Sequence, residues 1–486
     1  MIFKGIKKEF LSIVAVSALL VTTAPVQAKV KLPSVFSDNM VFQQKTKAAV
    51  WGKTDANKTV KVTGSWNNKT VTGKADASGN FKVLISTPSF GGPYTVTVSD
   101  GEDLSLKNVL IGDVWLCSGQ SNMEMPLAGW GKINNYEQEI KDANYPNIRL
   151  LQGIRTASNV PLDDAKVANG GWTACTPQYV EGFSSVAYFF ARELNKKTGI
   201  PIGLIHTSWG GTIAEAWTSA ATLKTMPDFV DAVNKVENAA KDNTSAKKEE
   251  GPNRTTVLYN AMIHPYLQFA IKGAIWYQGE SNAGRAKQYR TLFPAMITDW
   301  RKNWGIGNFP FYFVQLANFM KVEAEPVASN WAELRDAQLS TLSLPNTGMA
   351  VIIDAGDEKD IHPKNKQDVG KRLALIALAK NYKVKVPYSG PVYQSQKIEG
   401  NAIKLNFKAT DGGLKTSDGA ALKGFAVAGA DQKFYWAKAE IKGNQVLVSS
   451  DKVANPVSVR YAWANNPVCN LVNGAGLPAS PFRTDQ

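Results

Sequence analysis

The chain has 486 residues, about three times the ~150 residues of an average domain, so we expect two to four domains. Hydrophobic residues make up 44% and charged residues 20%, which excludes a disordered or collagen-like chain. The net charge of +14 comes from 55 Lys and Arg against 41 Asp and Glu. Because the basic residues are scattered rather than gathered in long runs, we expect no nucleic-acid partner.

The first 28 residues have the pattern of a secretory signal peptide. Lys4, Lys7 and Lys8 form a basic start, residues 10–21 are apolar, and residues 26–28 (VQA) offer the small residues of a cleavage site. The apolar stretch is shorter than the ~20 residues of a membrane span, and no later segment reaches that length. The sequence therefore predicts an exported protein, periplasmic or extracellular, without a membrane span.

The rest of the chain divides into three regions. Residues 29–105 contain short alternating or β-branched runs separated by turn-forming residues, which predicts a β-sandwich-like domain. Residues 106–388 alternate short apolar strands with helical stretches, which predicts a three-layer α/β domain with a mostly parallel sheet. From 389 to 486 the sequence returns to β character, so we expect a C-terminal β-rich domain.

Cysteine and histidine are rare. The three cysteines are Cys117, Cys175 and Cys469, and the three histidines are His206, His264 and His362. Three cysteines leave room for one disulfide but not for a disulfide framework. The histidines are far apart, and none lies in a Cys/His cluster with metal-ligand spacing. We therefore expect no metal and no cofactor, and we interpret His206 and His264 as structural.

Polar segments follow four of the predicted strands in the α/β region. They are residues 117–123 (CSGQSNM), 206–212 (HTSWGGT), 278–282 (QGESN) and 354–363 (DAGDEKDIHP). Because ligands bind beyond the carboxyl ends of the strands in open α/β sheets, we expect these segments to meet. They supply a serine, a glycine pair, a Gly/Asn motif and a histidine beside carboxylates, which together indicate a serine hydrolase. Taken singly, Ser121 and Asn282 could be helix caps, the glycines a turn, and His362 a surface histidine.

The motifs GQSNM (119–123), WGGT (209–212), WYQGESN (276–282) and DIHP (360–363) resemble those of the sialate O-acetylesterase family. This family belongs to the SGNH hydrolase superfamily and is related to acetylxylan esterases. The resemblance covers nearly all of the chain after residue 28, since the family's leading and trailing regions are also β-rich. It implies an SGNH-type catalytic domain and an esterase whose substrate is an O-acetylated sugar or glycan.

The resemblance also implies residue roles. Ser121 is the nucleophile and His362 its general base, an arrangement that ester hydrolysis by serine requires. The oxyanion donors are the backbone N–H of Ser121, a backbone N–H of Gly210 or Gly211, and the side chain of Asn282. We assign Gln120, Gln278 and Glu280 to hydrogen bonds that shape the site.

The third member of the triad departs from the superfamily pattern. That pattern places Asp three residues before the histidine, where this chain has Lys359. Asp360 lies two residues before His362, on the same face of an extended segment, and we predict that it orients the imidazole. Asp357 is a weaker candidate, and a backbone carbonyl in place of Asp360 would leave a Ser-His dyad.

Three functions stay open. The leading interpretation is an O-acetylesterase that acts on sialic acids, and the nearest alternative changes the sugar to acetylated xylan or another polysaccharide. A sialate carboxylate favours an arginine in the pocket, and the candidates by location are Arg155, Arg254 and Arg285. A non-catalytic glycan-binding protein is the third possibility. The sequence does not indicate the oligomeric state.

Overall fold

The computed structural model describes residues 1–2, 30–241 and 251–485, so the predicted signal peptide lies outside the described residues apart from its first two. The strands are β1 Val41–Gln43, β2 Lys47–Lys53, β3 Thr59–Gly64, β4 Lys69–Lys74, β5 Asn80–Ser86, β6 Gly91–Ser99, β7 Asp103–Gly119, β8 Tyr145–Gln152, β9 Thr173–Cys175, β10 Ile202–Ser208, β11 Gly273–Tyr277, β12 Phe311–Val314, β13 Thr347–Ala350, β14 Val392–Glu399, β15 Ala402–Lys408, β16 Leu414–Thr416, β17 Phe425–Ala428, β18 Tyr435–Trp436, β19 Lys438–Lys442, β20 Gln445–Ser449, β21 Ser458–Tyr461, β22 Leu471–Asn473 and β23 Phe482–Arg483. The α-helices are α1 Ser121–Glu124, α2 Tyr136–Lys141, α3 Pro177–Val180, α4 Ser185–Thr198, α5 Ala220–Leu223, α6 Val230–Lys241, α7 Ala286–Trp304, α8 Asn330–Ser340 and α9 Lys366–Asn381.

The N-terminal region is built from β1 to β6 and the first half of β7. Strands β3, β4, β6 and β7 are paired antiparallel, and β2 pairs with β5 in a separate two-stranded antiparallel sheet. Along β5 the residues alternate between exposed and buried, which turns Phe81, Val83 and Ile85 toward the interior. The β-rich character predicted for this region is confirmed.

Strand β7 joins this region to the centre of the molecule. It is 17 residues long: its first half pairs with β6, and residues 113–119 pair with β10. The two ladders are therefore parts of one sheet, which has eleven strands within the described ranges. The predicted division at residues 105 and 106 falls inside β7, so no linker separates the two regions there.

The central sheet has the order β13-β12-β11-β7-β10-β8-β9, and only β9 runs antiparallel. The ring centroid of Trp115 in β7 lies 5.0 Å from that of Phe190 in α4. Trp276 of β11 pairs with Ser118, three residues beyond Trp115, and so faces the opposite side. Its ring lies 5.7 Å from Trp300 of α7. Helices thus cover both faces, and the predicted α/β architecture with a mostly parallel sheet is confirmed.

The C-terminal region contains two four-stranded sheets, β14-β15-β20-β19 and β18-β17-β21-β23, around a hydrophobic core of its own. Arg335 of α8 connects it to the α/β region. This fully buried guanidinium donates hydrogen bonds to the carbonyls of Ala464 (2.7 Å) and Asn465 (2.9 Å) from the C-terminal side and of Leu316 (2.8 Å) from the other. Among the described helices, none combines the length and the apolar character needed to cross a bilayer.

Candidate active site

The site begins where β7 ends. Gly119, the last residue of the strand, has φ +145°, and a Cβ there would lie 2.1 Å from the carbonyl oxygen of Tyr277. Only glycine therefore fits this turn. The N–H of Gln120 donates to the same Tyr277 carbonyl (3.0 Å), and α1 starts at the next residue, Ser121. The turn thus presents Ser121 at the carboxyl edge of the parallel sheet.

Ser121 and His362 lie in direct contact, although 240 residues of chain separate them. The Oγ of Ser121 is 2.9 Å from Nε2 of His362. Burial lowers the pKa of His362 below its ordinary value of 6.5, and the nearby charge of Lys366 lowers it further, against an opposing effect of Asp360. The imidazole is therefore neutral at pH 7 and can accept a proton from the serine hydroxyl.

Of the two candidate carboxylates, Asp360 is the one beside the imidazole. Its Oδ1 lies 3.4 Å from Nδ1 of His362 and accepts the backbone N–H of His362 at 2.9 Å. The side chain is 44% exposed. Asp357 instead caps its own turn, where Oδ1 accepts the N–H groups of Lys359 (2.7 Å) and Asp360 (3.1 Å).

The glycine pair lies against the serine. A Cβ on Gly210 would lie 3.2 Å from Cβ of Ser121, so a larger residue would crowd this serine. The N–H of Gly210 donates to Oε2 of Glu124 (2.7 Å), whose other oxygen accepts from Arg155 (2.5 Å). Gly211 has φ +73° and room around its Cα. Of the two predicted donors, Gly210 is thus engaged with a carboxylate.

Asn282, Gln278 and Gln120 form the buried floor beside this edge. Asn282 Nδ2 donates to Oε2 of Glu215 (3.0 Å), while its Oδ1 accepts from Gln278 Nε2 (2.6 Å) and from the N–H of Ala214 (3.0 Å). Gln120 Oε1 accepts the N–H groups of residues 279 and 281 at 3.4 and 3.3 Å. These bonds fix the segment after β11 against the segments after β7 and β10.

A buried polar network connects the segment around His362 to the turn that carries Ser121. Asn122 Nδ2 donates to Glu280 Oε1 (2.6 Å) and to the carbonyl of Ile361 (3.0 Å), next to His362. Its Oδ1 accepts from Nζ of Lys366 (2.5 Å), which is fully buried. Burial raises the pKa of Glu280 and lowers that of Lys366 to about 7. Asn122 is thus the junction that holds the backbone of the His362 segment.

Neither Asn122 nor Lys366 stands out in the sequence as a site residue. Asn122 lies inside the GQSNM motif, and its position next to the serine is the one signal that could have identified it. Lys366 is one of many lysines in a basic chain, and only the fold shows that it is buried. Glu124 carries a weak signal as well, since it lies one helical turn beyond Ser121.

The other two histidines lie outside the pair formed by Ser121 and His362. His206 is buried between Gln152 Oε1 (2.8 Å) and Ser208 Oγ (2.6 Å), and burial lowers its pKa to about 3, which agrees with a structural role. His264 bonds the carbonyl of Leu162 through Nδ1 at 2.9 Å. Within the described parts of the chain, no group of three or more His, Cys, Asp or Glu residues could hold a metal ion.

The three arginines differ in their surroundings. Arg155 is half-exposed and pairs with Glu124, whose other oxygen holds Gly210 beside Ser121. Arg285 pairs with Glu215 at 2.7 Å, and Arg254 donates to Asn159 at 2.6 Å. Of the three, Arg155 is therefore connected most directly to the turn that carries Ser121, through Glu124.

Comparisons with known proteins identify the family of this chain. The sequence model of the family described as carbohydrate esterase, sialic acid-specific acetylesterase, matches residues 111–379. A mouse sialate O-acetylesterase is 31% identical, over 93% of this chain and 94% of its own length. The human sialate O-acetylesterase is 32% identical, over 93% and 92%.

One solved structure is similar over nearly the whole chain. A carbohydrate acetylesterase from Xanthomonas citri has 41% sequence identity and a TM-score of 0.85, covering 94% of this chain and 100% of that one. The family match includes β11 and the segments of all four motifs, and the relatives span almost the whole chain. The chain therefore belongs to the sialic acid-specific acetylesterase family of carbohydrate esterases.

Proposed function

We propose that this protein is an exported carbohydrate O-acetylesterase with an SGNH-type catalytic domain, and that it removes O-acetyl groups from sialic acids through a serine acyl-enzyme. The observation that carries the mechanism is the 2.9 Å contact between Ser121 Oγ and His362 Nε2. The relatives named sialate O-acetylesterase support the choice of sugar. The signal-peptide pattern of residues 1–28 supports export.

In the first half-reaction, Ser121 Oγ attacks the acetyl carbonyl while His362 Nε2 takes the hydroxyl proton. The imidazolium that forms is stabilised by the carboxylate of Asp360 at Nδ1. When the C–O bond to the sugar breaks, His362 returns the proton to the sugar oxygen, and the acetyl group stays on Ser121. In the second half-reaction His362 deprotonates a water, which attacks the acetyl carbon. When the acyl bond to Oγ breaks, His362 returns that proton to Ser121 and acetate leaves.

The negative charge on the carbonyl oxygen needs donors at the turn after β7. The backbone N–H of Ser121 opens α1, where no carbonyl of the helix can pair with it. Gly210 can donate to this oxygen only if Glu124 releases its N–H, so we take Gly211 as the donor from the glycine pair. Each such donor typically contributes on the order of 10²–10³ in rate.

The second candidate function keeps this chemistry and changes the sugar. The Xanthomonas citri relative is a carbohydrate acetylesterase, a wider class than sialate O-acetylesterase, and it supports a broader carbohydrate ester. Arg155, half-exposed beside Glu124, supports the anionic sugar instead, because a guanidinium can pair with a sialate carboxylate.

Acetate release by the full chain tests the proposal, with O-acetylated sialic acid and acetylated xylan as substrates. Ser121→Ala should abolish release from the preferred substrate. Ser118→Ala is the matched control, since this buried hydroxyl, on the strand that leads to Ser121, has no hydrogen-bond partner and should tolerate removal. Release from xylan alone would select the second candidate. No Ser121-dependent release from either would refute both and favour a glycan-binding protein.

A further inference from the structure

Trp130 is an exposed aromatic residue in a segment whose other large apolar side chains are packed inward. Its side chain is 55% exposed, whereas Met125, Leu127 and Ile133 on the same segment are at most 3% exposed. The backbone on either side is anchored, since residue 128 donates to the carbonyl of residue 181 (3.1 Å) and residue 134 to that of residue 364 (3.0 Å). The segment thus holds the indole at the surface, where its apolar face is open to a ligand.

The ring stands beside the base of the proposed reaction. Its centroid lies 5.3 Å from that of the His362 imidazole, at an interplanar angle of 75°. In the proposed mechanism His362 also protonates the sugar oxygen as the ester bond breaks, so the sugar must lie next to this imidazole. The sugar ring is therefore brought close to Trp130, whose flat apolar face suits the C–H groups of a pyranose.

We propose that Trp130 binds the sugar ring of the acetyl ester and so selects sugar esters over other acetates. The inference rests on the proposed esterase function and adds the residue that contacts the sugar. Ser121 and His362 act on the acetyl group and the bridging oxygen, which every acetate ester possesses. Trp130 contacts a part of the substrate that only a sugar supplies, so its contribution should depend on the alcohol portion of the ester.

The test compares two esters on Trp130→Ala and Trp130→Phe. The substrates are the O-acetylated sugar that the wild-type protein hydrolyses best and ethyl acetate, which has no ring. For Trp130→Ala we expect kcat/KM on the sugar ester to fall roughly three- to tenfold, mainly through KM, in line with the usual strength of aromatic stacking. Trp130→Phe should recover much of the loss, and ethyl acetate hydrolysis should be unchanged in both variants.

Phe90→Ala is the matched control. Phe90 is 47% exposed and lines a surface pocket with Asp113 and Pro310, at the opposite edge of the central sheet, so its removal should alter neither ester. Unchanged ethyl acetate hydrolysis also shows that the Trp130 variants are folded.

Three results would overturn the inference alone. Equal losses on both esters, or a shifted pH profile of kcat/KM, would mean that Trp130 only positions His362. A gain in butyrate ester hydrolysis by Trp130→Ala would place the indole at the acyl group instead. A wild-type protein that hydrolyses neither ester would overturn the esterase proposal, and this inference with it.

Discussion

The carboxylate of Asp360 should contribute little to the rate, in spite of its place beside His362. We expect Asp360→Asn to lower kcat/KM by no more than about tenfold. The 3.4 Å separation between Oδ1 and Nδ1 is longer than an ordinary hydrogen bond, and the side chain is 44% exposed to screening solvent. Exposed ion pairs of this kind contribute about 0–1 kcal/mol. A buried, well-aligned triad aspartate contributes about 10⁴-fold in kcat.

The same substitution should move the pH profile in a defined direction. The charge of Asp360 raises the pKa of His362, whereas burial and Lys366 lower it. Without the carboxylate the pKa of His362 falls further. Because the neutral imidazole is the active base, the acidic limb of kcat/KM should shift to lower pH.

The assay is kcat/KM for the preferred acetyl ester from pH 5 to 9, for the wild-type protein, Asp360→Asn and Glu358→Gln. Glu358→Gln makes the same change of charge in the same loop, on an exposed side chain four residues before His362, and should leave both rate and profile nearly unchanged. A loss of 10³-fold or more in Asp360→Asn alone would refute the reasoning, as would an acidic limb that moves to higher pH.

Two further predictions concern folding. Gly119→Ala should lower the free energy of unfolding by about 3 kcal/mol or more, because its Cβ would lie 2.1 Å from the Tyr277 carbonyl oxygen. Gly211→Ala should lower it by only about 1 kcal/mol, because Gly211 has φ +73° but open space around it. Urea unfolding of the two variants measures both values. Lys366 has a pKa of about 7 when folded and 10.5 when unfolded, so the unfolded chain binds more protons between these values and stability rises with pH there. Between pH 7 and pH 9, the free energy of unfolding should therefore rise by about 2 kcal/mol more in the wild-type protein than in Lys366→Met. An equal rise in both proteins would contradict the lowered pKa of Lys366.

The position of the site could be predicted because parallel strands end at one edge. β7 lies between β10 and β11, so the segments that follow these three strands must meet. The histidine segment is different, since it follows β13, which β12 and β11 separate from β7. The chain brings this segment back to Ser121 through single contacts, such as that of Asn122 with the Ile361 carbonyl. Such contacts leave no periodic pattern in the sequence.

Strand β7 shows how a local pattern can mislead. Residues 109–111 and 114–116 form two apolar runs, and Gly112-Asp113 between them has the composition of a turn. In the structure the strand continues through both residues. The Asp113 carboxylate is buried, yet it accepts hydrogen bonds from Gln43 Nε2 (2.7 Å) and Tyr382 OH (2.9 Å). A charged residue could remain inside the strand because distant partners satisfy it, and those partners cannot be identified from the local sequence.

The continuity of β7 also fixes the length of the chain between its ladder with β6 and its ladders with β10 and β11. Both halves are hydrogen-bonded in register, to β6 at one end and to β10 and β11 at the other. One inserted residue would turn Trp115 to the wrong face and carry Ser121 about 3.3 Å along the strand, away from His362. Insertions and deletions within residues 103–119 should therefore be selected against throughout this family.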